Sequence, residues 1–172
     1  MKRFLLLAFI LGCSSSSPSD ATQTLGDLQY APPPSTWNHR DTKEISRLVS
    51  RWTPEANANK ESISIIRTSA RANVKAAPPA QLEAMLAEAQ RSLPAPTLRA
   101  PTMAKTKQGL QEVEIVADFV PPGLKDSYHR VHALIVDGDV LINVLYTART
   151  PDPGLAVFHQ VVDSIRHGKA AS

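Results

Sequence analysis

Two hydrophobic periods alternate along the chain and mark out its elements. From Pro79 to Leu93 the apolar residues Leu82, Leu86, Ala89 and Leu93 recur at three- and four-residue intervals, with Met85 beside them. That spacing gathers them on one side of an α-helix. Pro78-Pro79 suits its first turn and Pro94 stops it. Leu155–Ile165 repeats the pattern through Leu155, Phe158, Val162 and Ile165, with Asp152-Pro153 as cap and first-turn proline and Gly168 beyond the end. Elsewhere the period is two. Leu110–Val120 puts Val113, Ile115, Ala117 and Phe119 on one face and Glu112, Glu114 and Asp118 on the other. Glu61–Thr68 alternates and is β-branched, as a strand should be. Leu25–Tyr30 reads as a short strand ended by three prolines. Ile45–Trp52 fits strand or helix, and its ending in Trp52-Thr53-Pro54 favours strand. Glu55–Asn59 reads as a loop, and Ala95–Gly109, spotted with prolines and lysines, as a mobile one.

The strongest local signal is Asp137-Gly138 between the apolar runs Tyr128–Val136 and Val140–Thr147, a hairpin. A two-residue turn at Asp137-Gly138 would set Ile135 against Val140, Ala133 against Ile142 and Val131 against Val144, a uniformly apolar face. The opposite face then pairs Leu134 with Leu141, His132 with Asn143, Arg130 with Leu145 and Tyr128 with Thr147, polar groups on an apolar base. The order is therefore β-β-β-α-β-β-β-α. It predicts an α+β fold, an antiparallel sheet of about six strands covered by two helices.

Leu28-Gln29-Tyr30 ahead of prolines and Trp37, the long final hairpin, and a last helix ending Val161-Val162-Asp163-Ser164-Ile165 resemble the PsbP-like fold family, which includes bacterial DcrB-type lipoproteins. The resemblance follows element order over most of the chain. It implies a PsbP-like α/β sandwich and, because that family is functionally mixed and mostly non-enzymatic, little about activity.

The amino terminus carries an address. Met1-Lys2-Arg3 is basic and Phe4–Leu11 is an unbroken apolar run, far short of the roughly 20 residues that span a bilayer. Ile10-Leu11-Gly12-Cys13 resembles the lipobox of bacterial lipoproteins, with Leu11 bulkier than usual. The resemblance implies cleavage before Cys13, diacylglycerol on its sulfur and acylation of the new amino terminus, two or more chains that anchor stably where one is marginal. Residues 1–12 are thus expected to be a signal peptide, 13–24 a lipidated flexible tether rich in serine, 25–168 one α+β domain and 169–172 a tail. Ser14 stands where inner-membrane lipoproteins carry aspartate, which implies the outer membrane of a Gram-negative envelope, facing the periplasm.

Composition closes off several functions. Cys13 is the one cysteine, so no intrachain disulfide, cysteine nucleophile or thiolate metal site is possible. Without residues 1–12 the chain has 172 − 12 = 160 residues, and removing Lys2 and Arg3 takes the charge from +3 to +1. With no cluster of basic and aromatic residues, nucleic-acid binding has no support. The 14 prolines are grouped at element boundaries. No G-x-S-x-G, Gly-rich phosphate loop or H-E-x-x-H occurs, so no catalytic residue, cofactor or metal site is predicted. A serine hydrolase would need a serine and a histidine brought together by the fold.

One binding patch stands out: His132 with Asn143, flanked by Arg130 and Tyr128, as a recognition surface or else as a solvated or helix-covered sheet face. His129 and His132, three apart in a strand, point to opposite faces and cannot share a metal without a bulge. Trp52 could sit over a groove rimmed by Lys60 and Glu61, or be a core or edge aromatic with Lys60 and Glu61 as surface charges. The leading expectation is a non-catalytic envelope lipoprotein that binds a protein partner as an accessory or assembly factor. A small-ligand or lipid carrier with a pocket between sheet and helices is the alternative, and a hydrolase the distant one.

Overall fold

The computed structural model describes residues 21–57, 61–70, 77–149 and 154–168. The expected signal peptide, Cys13, the start of the tether, Asp152-Pro153, Lys60 and the tail lie outside the described residues. No helix among the described residues is long and apolar enough to cross a membrane.

The chain runs β1 (Gln23–Leu25), β2 (Leu28–Tyr30), β3 (Trp37–Lys43), β4 (Arg47–Pro54), a 3-10 turn (Glu55–Asn57), β5 (Glu61–Ser69), α1 (Pro79–Arg91), β6 (Thr97–Leu98), β7 (Thr102–Lys105), β8 (Gln111–Phe119), β9 (Tyr128–Asp137), β10 (Val140–Arg149), α2 (Leu155–Ser164) and β11 (Arg166–His167). Eight strands form one antiparallel sheet in the order β3-β4-β5-β10-β9-β8-β6, with β7 also on β8. A second sheet of three strands, β1-β2-β11, is hydrogen-bonded separately from it.

The fold is thus α+β, a largely antiparallel sheet with two helices among the described residues, but larger than the sequence suggests: the described residues form eleven strands rather than about six. Gln23 and Thr24, expected within the tether, pair with Tyr30 and Gln29. The stretch 95–109 is not a plain loop, since β6 and β7 pair in succession along the outer edge of β8. Ile45, expected to open a strand, is instead fully exposed at the tip between β3 and β4.

Alternation decides the two faces of the large sheet. On one, Ile63 and Ile65 (β5), Val131, Ala133 and Ile135 (β9) and Ile142, Val144 and Tyr146 (β10) are all buried. α2 covers them with Phe158, Val161 and Val162, and β1-β2 with Leu25, Leu28 and Tyr30. Burying a side chain such as Phe158 stabilises by about 1.5–3 kcal/mol. This is the main core. The other face carries a smaller cluster, in which Leu82 and Leu86 of α1 pack on Val113, Ile115 and Leu134. The buried stripe of α1 is Leu82, Leu86 and Gln90; Ala89 and Met85, placed in it from sequence, are exposed.

The hairpin register differs by two residues from the sequence expectation. Asp137 pairs with Val140, so the loop is Gly138-Asp139 and Ile135 opposes Ile142. Gly138 has φ +54 at the first loop position, and Asp139 does not share a positive φ. That is the type II′ arrangement, which wants glycine first, whereas Asp137-Gly138 would put aspartate there. The shift moves each partner by two residues, so every side chain keeps its expected face.

Glu61, expected as a surface charge, is buried: it accepts a hydrogen bond from the Tyr146 hydroxyl at 2.9 Å, and the Gly154 N–H reaches that hydroxyl at 3.0 Å. A Cβ on Gly154 would overlap Glu61 Oε1, so a larger residue there would have to displace the Glu61 carboxylate from the Tyr146 hydroxyl.

Candidate functional site

Tyr128, Arg130 and His132 alternate along β9 and therefore project from the same side of the sheet as α1. Asn143 joins them from β10. His132 sits opposite Leu145 rather than Asn143, which is its diagonal neighbour. Diagonal residues remain within reach of long side chains, and the His132 Nε2 to Asn143 Oδ1 distance is 2.9 Å. On its other side, the Gln90 amide lies 2.7 Å from His132 Nδ1. Gln90 Nε2 donates to Nδ1 and the Nε2–H donates to Asn143, which fixes the neutral tautomer. Burial pushes the His132 pKa down to about 4, the Asn143 hydrogen bond opposing it and the Arg130 charge adding to it. With both ring nitrogens occupied, this histidine is a strut and not a general base.

Arg130 is the more available group. It is half-buried, its guanidinium lies 5.3 Å from the centre of the Phe119 ring, and its Nε donates to Thr147 Oγ1 at 3.1 Å. Its terminal nitrogens have no hydrogen-bond partner among the described residues. Burial lowers its pKa, yet arginine stays charged. Tyr128 packs against Phe119 with ring centres 6.1 Å apart. A half-buried guanidinium held beside the Phe119 ring and bonded to a threonine can grip a carboxylate or a carbonyl in a fixed plane. Gln90, Phe119 and Thr147 complete this arrangement; the sequence set Thr147 on this face, though opposite Tyr128 rather than Arg130, and did not bring Gln90 or Phe119 to it. Gln90 had a usable signal, standing four residues after Leu86 in the helical stripe; Phe119 and Thr147 depend on cross-strand placement.

Trp52 does not join them. It lies on the opposite face of the sheet, 7% exposed, donating to the Tyr30 hydroxyl at 3.1 Å and stacked on His39 with ring centres 4.1 Å apart. His129, also facing that way, meets Asp118 at 2.7 Å. The fold does bring a serine, a histidine and an aspartate together beside Trp52. His39 Nε2 is 2.8 Å from Ser50 Oγ and 2.7 Å from Asp41 Oδ1. Both partners meet the same nitrogen, so the ring cannot take a proton from the serine while the aspartate orients its other side. Ser50 is fully buried and also holds the Tyr30 hydroxyl at 2.7 Å. Burial raises the Tyr30 pKa. The cluster fastens β2 to β3 and β4. Among the described residues no group of three or more His, Cys, Asp or Glu is placed to hold a metal ion.

No protein-family model and no curated protein matches the chain. Solved structures do. A solution structure of the cyanobacterial PsbP protein CyanoP from Synechocystis is 13% identical, with a TM-score of 0.56 over 82% of this chain and 86% of that one. A crystal structure of a Pseudomonas aeruginosa protein of unknown function described as a putative regulator, PA94, is 15% identical, with a TM-score of 0.53 over 83% and 93%. A Bacteroides thetaiotaomicron crystal structure is 11% identical at 0.54 over 85% of this chain, which spans about half, 47%, of that protein. At these identities the likeness is one of fold, and that fold is PsbP-like.

Proposed function

We propose that this chain is a lipid-anchored envelope protein, held through Cys13 and facing the periplasm, whose PsbP-like domain is non-catalytic and docks a protein partner as an accessory or assembly factor. One observation carries the reading: Arg130 and Tyr128 are half-buried on a sheet face where α1 packs on β8 and β9, and the terminal guanidinium donors have no partner among the described residues. Arginine and tyrosine in a partly desolvated, aromatic setting are the side chains that most often dominate an interface. The neighbouring positions of β5 and β10 on that face, Ser62, Ser64, Leu145 and Thr147, are half-buried and not charged, a surface easily desolvated. The amino-terminal Ile10-Leu11-Gly12-Cys13 supports the anchor.

A photo-crosslinking residue placed at Ser62 or Leu145 in cells should give a discrete adduct that Arg130→Ala diminishes. The same residue at Gln160, exposed on α2, should give none. Equal labelling from both faces, or adducts indifferent to Arg130, would remove the partner surface. Mass spectrometry of the native amino terminus tests the anchor separately: the reading requires a lipidated Cys13, and an intact Met1 overturns it.

A further inference from the structure

On the core side of the sheet, a groove of about 390 Å³ opens between β7, β8 and α2. Glu112 and Glu114 of β8, His159 and Asp163 of α2, and Lys105 of β7 are the charged groups that line it, with Ala104 and Val162 as apolar wall. Most of these charges are already matched. His159 Nε2 is 3.2 Å from Glu114 Oε2, and Lys107 Nζ is 3.0 Å from Asp163 Oδ2. Glu112 and Lys105 are the exceptions, and Lys105 is an exposed side chain that water can solvate. Glu112 is only 7% exposed and has no hydrogen bond or ion pair among the described residues. Its cross-strand neighbours explain why: Ala104 on β7 and Ile135 on β9 offer no side-chain donor. A carboxylate set between two apolar residues and opening onto a groove is costly unless something brings it a positive charge.

Two kinds of cation could do so. No trio of ligating side chains suits a metal ion here. The apolar wall and the single unmatched carboxylate suit an organic cation better. We propose that this groove binds an alkylammonium group, with Glu112 as its principal acceptor, Glu114 beside it, and Val162 and Ala104 against the hydrocarbon. The ammonium can belong to a free small amine or to a lysine side chain of another protein. The site is on the opposite face of the sheet from Arg130, so it stands or falls apart from the partner surface described above. Binding weakens in acid, because Glu112, its pKa raised by burial to about 6, takes up a proton and His159, its pKa held up by Glu114, becomes a competing cation.

The test is an amide NMR titration of the full chain with 1,5-diaminopentane, with N-acetyl-lysine amide, with uncharged 1,5-pentanediol and with calcium chloride. Both amines, or one of them, should give saturable shifts at 102–105, 111–115 and 159–163, and the diol and calcium none. Glu112→Gln should weaken the amine about tenfold or more. Thr102→Trp, at an exposed lining position, should block the groove while leaving Glu112 in place. Shifts from diaminopentane alone identify a free amine, and stronger shifts from the lysine derivative identify a lysine side chain. No saturable shift from either amine, equal shifts with the diol, calcium acting in their place, or an unchanged affinity in Glu112→Gln would overturn the assignment.

Discussion

Replacing His132 by glutamine should change how stability depends on pH more than it changes stability itself. In the native state His132 is 6% exposed, both ring nitrogens are bonded, and burial holds its pKa at about 4 against 6.5 for a free histidine. A histidine whose folded pKa lies below its unfolded one stabilises fully above 6.5, and that contribution is lost as pH falls from 6.5 towards 4. The difference of 2.5 units corresponds to about 3 kcal/mol when the loss is complete, and to about 2 kcal/mol at pH 5, on the order of 6 °C in Tm. Glutamine cannot titrate, but it can accept from Gln90 and donate to Asn143. Near pH 7 the variant should therefore cost no more than about 1 kcal/mol. At pH 5 it should equal or exceed the wild type. Glu112 and His159, whose pKa values are raised, push stability the opposite way over the same range, but they sit in another cluster and cancel in the difference between the proteins. Chemical denaturation of both proteins at several pH values between 4 and 8 is the assay. Parallel stability curves would show that His132 is not held neutral by burial, and the account of the Gln90–His132–Asn143 network would fail.

Further outcomes follow from the same structure. Glu112→Gln should stabilise the protein by up to about 2 kcal/mol above pH 6 and by nothing below pH 4.5, because a carboxyl whose folded pKa is raised to about 6 loses stability as pH rises through that value; a flat difference in thermal melts across pH would contradict it. Leu86→Ala, at a residue 2% exposed, should cost about 2–5 kcal/mol and accelerate amide exchange in α1 before the rest of the fold, since the cluster under that helix is small. Phe158→Ala, in the larger core, should cost about 3–5 kcal/mol and loosen both sheets together.

What could be read from sequence was what local periodicity encodes. The two described helices, β5, β8 and the β9–β10 hairpin each carry apolar residues at the spacing of their own structure, and each was found within a few residues of its ends. β3 was missed because Trp37-Asn38-His39-Arg40-Asp41-Thr42-Lys43 buries only its first residue, so an edge strand there has no apolar alternation to show. β6, β7 and β11 were missed because strands of two to four residues owe their existence to an edge already built, not to their own sequence. The same division runs through the sites. Tyr128, Arg130, His132 and Asn143 could be grouped because a strand period and a hairpin suffice to place them on one face, and a register error of two residues left that face unchanged. Trp52 could not be assigned to a face, because its partner strand depended on locating β3. Glu112 looked like one of three acidic residues on a wet strand face. Its isolation arises from Ala104, Ile135 and α2, which come from three other parts of the chain, and only the assembled fold turns an ordinary glutamate into an unmatched charge.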